Sequence, residues 1–203
     1  MPLRNSRAKD IAIIGIFSAL VIVLQLLAEL TRVLGLPISI ALGLLPVLVG
    51  SMLRGIKTGA IVGGVFGLVS LVLAAILASS MPNSTASVIV NPLVSVFPRI
   101  MVGVFTALTY RALTKKGVSS KPKRYAYAAL SGLVGVVTNT VLFLSMFLAF
   151  SYGKVYEDAT INFTWVITAV VAINTLIEVV AFPILSAGIV LGIESYKGRG
   201  GER

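Results

Sequence analysis

Apolar residues run along this chain in six long stretches separated by short polar or basic intervals. They show neither the strict alternation of a half-buried strand nor the single stripe of a surface helix. The stretches cover roughly residues 11–31, 37–53, 57–78, 92–113, 125–151 and 163–194. About 20 apolar residues in helical form cross the hydrocarbon core of a bilayer, and a lipid-embedded backbone must satisfy its own hydrogen bonds. The pattern predicts an all-α integral membrane protein, a six-transmembrane-helix bundle built as a single membrane domain over residues 1–203. The second stretch is short and begins at Pro37, and the last two are long enough to tilt. Pro37 and Pro92 stand where helices should start, a position that suits proline. Pro46, Pro98 and Pro183 fall inside apolar runs, where each should free a backbone carbonyl that a neighbour or cavity must satisfy.

Composition agrees with this class. Hydrophobic residues make up 57% of the 203 and charged residues 12%, against about 25% charged in a soluble domain; mean hydropathy is +1.01. Arg4, Arg7 and Lys9 flank the first stretch as they would in a signal peptide. That stretch is too long for a signal core and no small-x-small cleavage site follows it, so it reads as a retained span. The chain has no cysteine and no histidine, which excludes disulfides, thiolate chemistry, histidine-ligated metals and a histidine base. There is no phosphate-binding Gly-x-x-x-x-Gly-Lys-Ser/Thr loop and no His-Glu-x-x-His. The chain is therefore expected not to be an enzyme, and to hold neither cofactor nor metal. No internal inverted repeat of the kind many secondary carriers carry stands out.

Charge sets the orientation. With both termini in the cytoplasm, fourteen of the 17 Lys and Arg residues fall on the inner side, including the cluster from Lys115 to Arg124. Only Arg32 and Lys154 fall outside, and Arg99 lies within the membrane. This positive-inside bias accounts for the net charge of +10 without nucleic acid. The outer interval 79–91 is uncharged and rich in small polar residues, while 152–162 carries Glu157 and Asp158. Both are long enough to cover a cavity mouth. The first reads either as a gate or as a solvated connector.

The chemistry centres on Arg99. An arginine at membrane depth costs about 2.5–3.5 kcal/mol on insertion scales and normally has a partner, a water-filled cavity or an anionic ligand. Counting depth from helix midpoints at about 1.5 Å per residue puts Arg99, Asn139, Asn174 and Glu178 in one layer on the outward half. Ser95 shares a helix face with Arg99, Thr138 and Thr140 flank Asn139, and Trp165 falls near the outer interface. These residues predict a polar pocket open to the outside, with Arg99 binding an anionic group and the amides and hydroxyls binding neutral polar atoms. The competing reading is an Arg99–Glu178 ion pair with asparagines bonding between helices. Gln25 and Glu29 are either pocket wall or interfacial. Small residues recur every fourth position at Gly15 and Ala19, at Gly59, Gly63 and Gly67, and at Gly188 and Gly192, a spacing that lets helices approach closely.

Taken together, Leu45-Pro46-Val47-Leu48-Val49-Gly50-Ser51-Met52-Leu53-Arg54-Gly55, Val96-Phe97-Pro98-Arg99-Ile100-Met101-Val102-Gly103, Thr138-Asn139-Thr140 and Asn174-Thr175-Leu176-Ile177-Glu178 resemble the substrate-binding S component of an energy-coupling factor (ECF) vitamin transporter. Within that group the resemblance is closest to the pantothenate type, and it covers about residues 8–196. It implies a chain that binds its vitamin from outside the cell membrane and docks on a transmembrane coupling subunit driven by two cytoplasmic ATPase subunits. It also implies that the S component topples in the lipid bilayer to deliver its cargo. The first-helix docking motif would fall on Ala12, Gly15 and Ala19, with Gly where the family pattern has Ala. Pantothenate offers a carboxylate for Arg99 and hydroxyls and an amide for Asn139, Asn174 and Thr138. Folate, hydroxymethylpyrimidine and pyridoxine-type vitamins remain alternatives, as do a standalone secondary carrier and a membrane scaffold subunit.

Overall fold

The computed structural model describes residues 3–33, 41–115, 117–118, 120–156, 159–164 and 173–200. The elements are α1 (Leu3–Val33), α2 (Leu44–Arg54), α3 (Ile56–Ser80), α4 (Ala86–Ile89), α5 (Pro92–Ser95), α6 (Phe97–Thr114), α7 (Lys121–Ser151), a two-stranded hairpin of β1 (Val155–Tyr156) and β2 (Ala159–Thr160), and α8 (Ile173–Gly200). Among the described residues five helical segments are long and apolar enough to cross a membrane: Ala8–Leu30, Ile56–Ser80, Pro92–Thr114, Lys121–Ser151 and Thr175–Tyr196. The expected second span, 37–53, is a helix of 11 residues, about 16 Å long and so about half a bilayer core. Residues 37–40 of that span, and 165–172 of the expected sixth, lie outside the described residues.

Short α2 is the most enclosed helix. Leu44, Val47, Leu48, Val49 and Met52 are all buried, and they join Val21, Val62, Phe66, Val102, Val136 and Phe182 in the main core. Pro46 is its third residue, where a backbone N–H has no intrahelical acceptor to lose. It therefore starts this helix and does not kink it, unlike the expectation for an interior proline.

The bundle closes chiefly through α3 on α6, α6 on α7 and α7 on α8. The α3–α6 contact is backbone on backbone. A Cβ on Gly59 would meet Ser51 Oγ and the Gly103 carbonyl, one on Gly63 would meet the Arg99 carbonyl, and one on Gly67 would meet Ser95 and Val96. Only residues without a side chain permit such an approach. By contrast Gly15, Gly188 and Gly192 have nothing within 4 Å of where a Cβ would stand.

Polar contacts tie the two ends differently. At one end Arg54 pairs with Asp10 at 3.5 Å, and Arg124 pairs with Glu194 at 3.3 Å, which also accepts from the Tyr110 hydroxyl at 3.2 Å. These contacts bring the start of α1, the ends of α2, α6 and α8 and the start of α7 together, along with the basic intervals. At the other end the short α4 and α5, the end of α7 and the hairpin form a second apolar cluster of Val88, Val94, Phe147 and Ile161. Gly153, at φ 75°, turns the chain out of α7 in a conformation that disfavours a side chain. Its N–H then donates to the Ile161 carbonyl at 2.9 Å. Val155 pairs with Thr160 and Tyr156 with Ala159.

Candidate functional site

The environment of Arg99 follows from the residue before it. Pro98 has no N–H, so the Val94 carbonyl four residues back loses its helical donor. The Arg99 Nη1 donates to that carbonyl at 3.0 Å. The expected single helix over 92–113 is accordingly divided into α5 and α6 on either side of Val96. Asn91 caps α5, its side-chain oxygen accepting from Leu93 N at 3.0 Å, with Pro92 in the first helical position.

The guanidinium lies against two aromatic rings. Its central carbon is 4.5 Å from the Phe143 ring centre and 5.7 Å from that of Phe66, both within the range of cation–π attraction. Arg99 is only 8% exposed, and its Nε has no hydrogen-bond partner. A buried charged donor left unpaired costs about 1–3 kcal/mol or more. Among the described residues the ion pairs within 4 Å do not include Arg99 with Glu178. Glu178 is spoken for elsewhere: its Oε1 accepts from the backbone N–H of Ala41 at 2.7 Å, just ahead of α2. The two side chains thus attract one another across a space without touching.

That space is a cavity of about 370 Å³, within the size range of small-molecule sites. Arg99, Asn139 and Glu178 line it together. Asn139 is 7% exposed and its Oδ1 has no partner. The walls come from the second half of α1 (Gln25, Ala28, Glu29), one face of α3 (Phe66, Ser70, Leu73, Ala74, Leu77), the second half of α7 (Asn139, Thr140, Phe143, Leu144) and the start of α8 (Thr175, Glu178). Thr85, Ala86 and Ile89 close it from the interval 79–91. These are the helix ends opposite the basic intervals.

Two other expected site residues, Thr138 and Ser95, are not part of the cavity lining. The Thr138 hydroxyl donates to Val134 O at 2.7 Å, and the lining hydroxyl beside Asn139 is that of Thr140. The Ser95 hydroxyl donates to Asn91 O at 3.2 Å. Each satisfies its own helix, the usual recourse of Ser and Thr in an apolar helix. Asn174 falls in the first turn of α8, with its side chain outside what is described, and Trp165 lies outside the described residues. Ala12, Gly15 and Ala19 are all exposed on the outer face of α1.

Phe66 and Phe143 belong to the wall although neither stood out in the sequence, and Gln25 and Glu29, expected as either wall or interface, line the cavity as well. Helical spacing carries a signal for three of them: Phe143 is four residues from Asn139, and Gln25, Ala28 and Glu29 repeat at three and four. Phe66 has no such marker.

The sequence matches the family model for the substrate-specific component of ECF transporters over residues 9–194. The chain belongs to this family. An S component of this kind is the substrate-binding part of a transporter and not an enzyme. This S component is 31% identical over 201 residues to the pantothenic acid transporter PanT of Lactococcus lactis subsp. cremoris (strain MG1363), covering 93% of this chain and 95% of that one. No solved structure matches it significantly. Five membrane-length helices and the family together make this S component a multi-pass membrane protein.

Proposed function

We propose that this S component binds pantothenate from the outer side of the cell membrane and delivers it to an ECF coupling subunit powered by two cytoplasmic ATPase subunits. The observation that carries the reading is the buried Arg99 guanidinium in the wall of a cavity that it shares with Asn139 and Glu178. An anionic ligand group answers that charge, and the Asn139 side chain, in the same wall, answers a hydroxyl or amide of the same molecule. The likeness to a pantothenic acid transporter supports the choice of vitamin. The positive-inside bias supports both termini in the cytoplasm, so the cavity opens outward, and the interval 79–91, with Thr85, Ala86 and Ile89 against it, acts as its gate. The exposed Ala12, Gly15 and Ala19 form the docking face for the coupling subunit.

Equilibrium binding of radiolabelled pantothenate to the detergent-purified chain tests this. The wild type binds, Arg99→Ala does not, and pantothenol, which carries an alcohol where pantothenate has its carboxylate, competes weakly. An Arg99→Ala variant that binds normally, or a folded wild type that binds no pantothenate, overturns the assignment. Co-purification with the coupling subunit and two ATPases tests the delivery step. Uptake in cells lacking those subunits points instead to a standalone carrier.

A further inference from the structure

The cavity changes character along its length. Phe66 and Phe143 mark the level of the Arg99 guanidinium, since both rings lie against it. On α3 the residues Phe66, Ser70, Leu73 and Leu77 share one helix face, and all four line the cavity. Leu73 and Leu77 stand about 10 and 16 Å beyond Phe66 along α3, in the direction of Ser80. On α7 Asn139 precedes Phe143 by one turn, whereas Leu144 follows it. Ile89 ends α4, which packs on α3. Ile89 and Leu144 both rest on the second apolar cluster of Val88, Val94, Phe147 and Ile161, at the end of the bundle opposite the basic intervals.

The branched aliphatic side chains of the lining are Leu73, Leu77, Ile89 and Leu144, and all fall on the side of the guanidinium away from Asn139. None is sealed: each is only partly buried, whereas Leu44, Leu48 and Val62 in the main core are fully enclosed. Each therefore keeps surface that a molecule in the cavity can cover. Taking such surface out of water is favourable for an apolar group. It is unfavourable for a charged or hydroxylated one, which finds no hydrogen-bond partner on these four side chains.

We infer that Leu73, Leu77, Ile89 and Leu144 form an apolar subsite that takes a branched aliphatic segment of the ligand while Arg99 holds its anion. Resting on the pantothenate reading above, that segment is the carbon that carries the vitamin's two methyl groups. The subsite reads hydrocarbon bulk at the end of the molecule away from the carboxylate, a property that neither Arg99 nor Asn139 senses.

The test compares two ligands on detergent-purified chains. Wild type, Leu73→Ala and Leu144→Ala are each titrated with pantothenate and with the analogue in which hydrogen replaces both methyl groups. Val72→Ala is the control, a truncation on the face of α3 away from the cavity, where Val72 is 54% exposed. Size-exclusion elution confirms that each chain is folded. Wild type and Val72→Ala favour pantothenate by about ten- to a hundredfold, the worth of two methyl groups enclosed by a fitted apolar wall. Leu73→Ala and Leu144→Ala lose affinity for pantothenate and little for the analogue, so their preference falls by about threefold or more. The wild-type preference is read without any variant, so it remains a test where a truncated chain fails to fold. A wild type that binds both ligands equally overturns the subsite while leaving the pantothenate assignment standing. So do leucine variants that keep the full preference, or an equal loss in Val72→Ala. A folded wild type that binds neither ligand overturns that assignment and this inference with it.

Discussion

The central carbon of the Arg99 guanidinium sits 4.5 Å from the centre of the Phe143 ring, a contact between α6 and α7 that aims the charge into the cavity. Cation–π pairing away from water is worth about 0.5–2 kcal/mol. Phe143→Leu is therefore expected to weaken pantothenate binding measurably, up to about thirtyfold, with Phe143→Trp retaining it. Isothermal titration of the purified variants checks this. Unchanged affinity in Phe143→Leu would mean that the Val94 carbonyl and the Phe66 ring position the arginine without it.

Glu178 shares the cavity with Arg99 but bonds to the Ala41 N–H. Glu178→Gln keeps a carbonyl oxygen for that N–H and removes a negative charge from a site proposed to take an anion. Repulsion between two carboxylates about 10 Å apart at an effective dielectric of about 20 is worth on the order of tenfold in affinity. Pantothenate should bind about that much more tightly to Glu178→Gln. Weaker binding by this variant would show that the carboxylate itself holds a ligand hydroxyl. Glu178→Ala, which leaves the Ala41 N–H without its acceptor, is expected to lower the melting temperature.

Two glycine positions should respond in opposite ways. A side chain at Gly63 runs into the Arg99 carbonyl, while one at Gly15 meets nothing within 4 Å. Gly63→Val is expected to destabilise by about 1–3 kcal/mol, the usual cost of overpacking, and to lose binding as α6 shifts with Arg99 on it. Thermal unfolding in detergent reads the first effect and ligand titration the second. Gly15→Leu and Ala19→Trp should leave both unchanged and abolish uptake in whole cells carrying the coupling subunits. Loss of binding in either would assign that face of α1 to the cavity and remove it from docking.

Several parts of this molecule are legible in the chain alone. Hydropathy marks α1, α3, α7 and most of α8, because lipid demands long apolar helices whatever their neighbours. Arg99, Asn139 and Glu178 stand out because a polar side chain in an apolar run needs a reason, and counting residues gives its depth. Pro98 beside Arg99 even carries the local bond, since the missing N–H leaves Val94 O for the guanidinium. Depth along a helix is a property of sequence because the rise per residue is constant.

Rotation about each helix axis is decided only by packing. Thr138 and Thr140 flank Asn139 equally in sequence, yet Thr140 lines the cavity and Thr138 bonds to its own helix. Phe66 and Phe143 read like any lipid-facing aromatic until the fold brings both against Arg99. Gln25 reads equally well as interfacial until α1 is laid against the cavity. The shortness of α2 is likewise tertiary: enclosed by its neighbours, it need not cross the bilayer to bury its apolar residues. Sequence alone thus determined the class of the protein and the depth of its charge. The tertiary structure decided which side chains that charge faces, because facing depends on how neighbouring helices turn against one another.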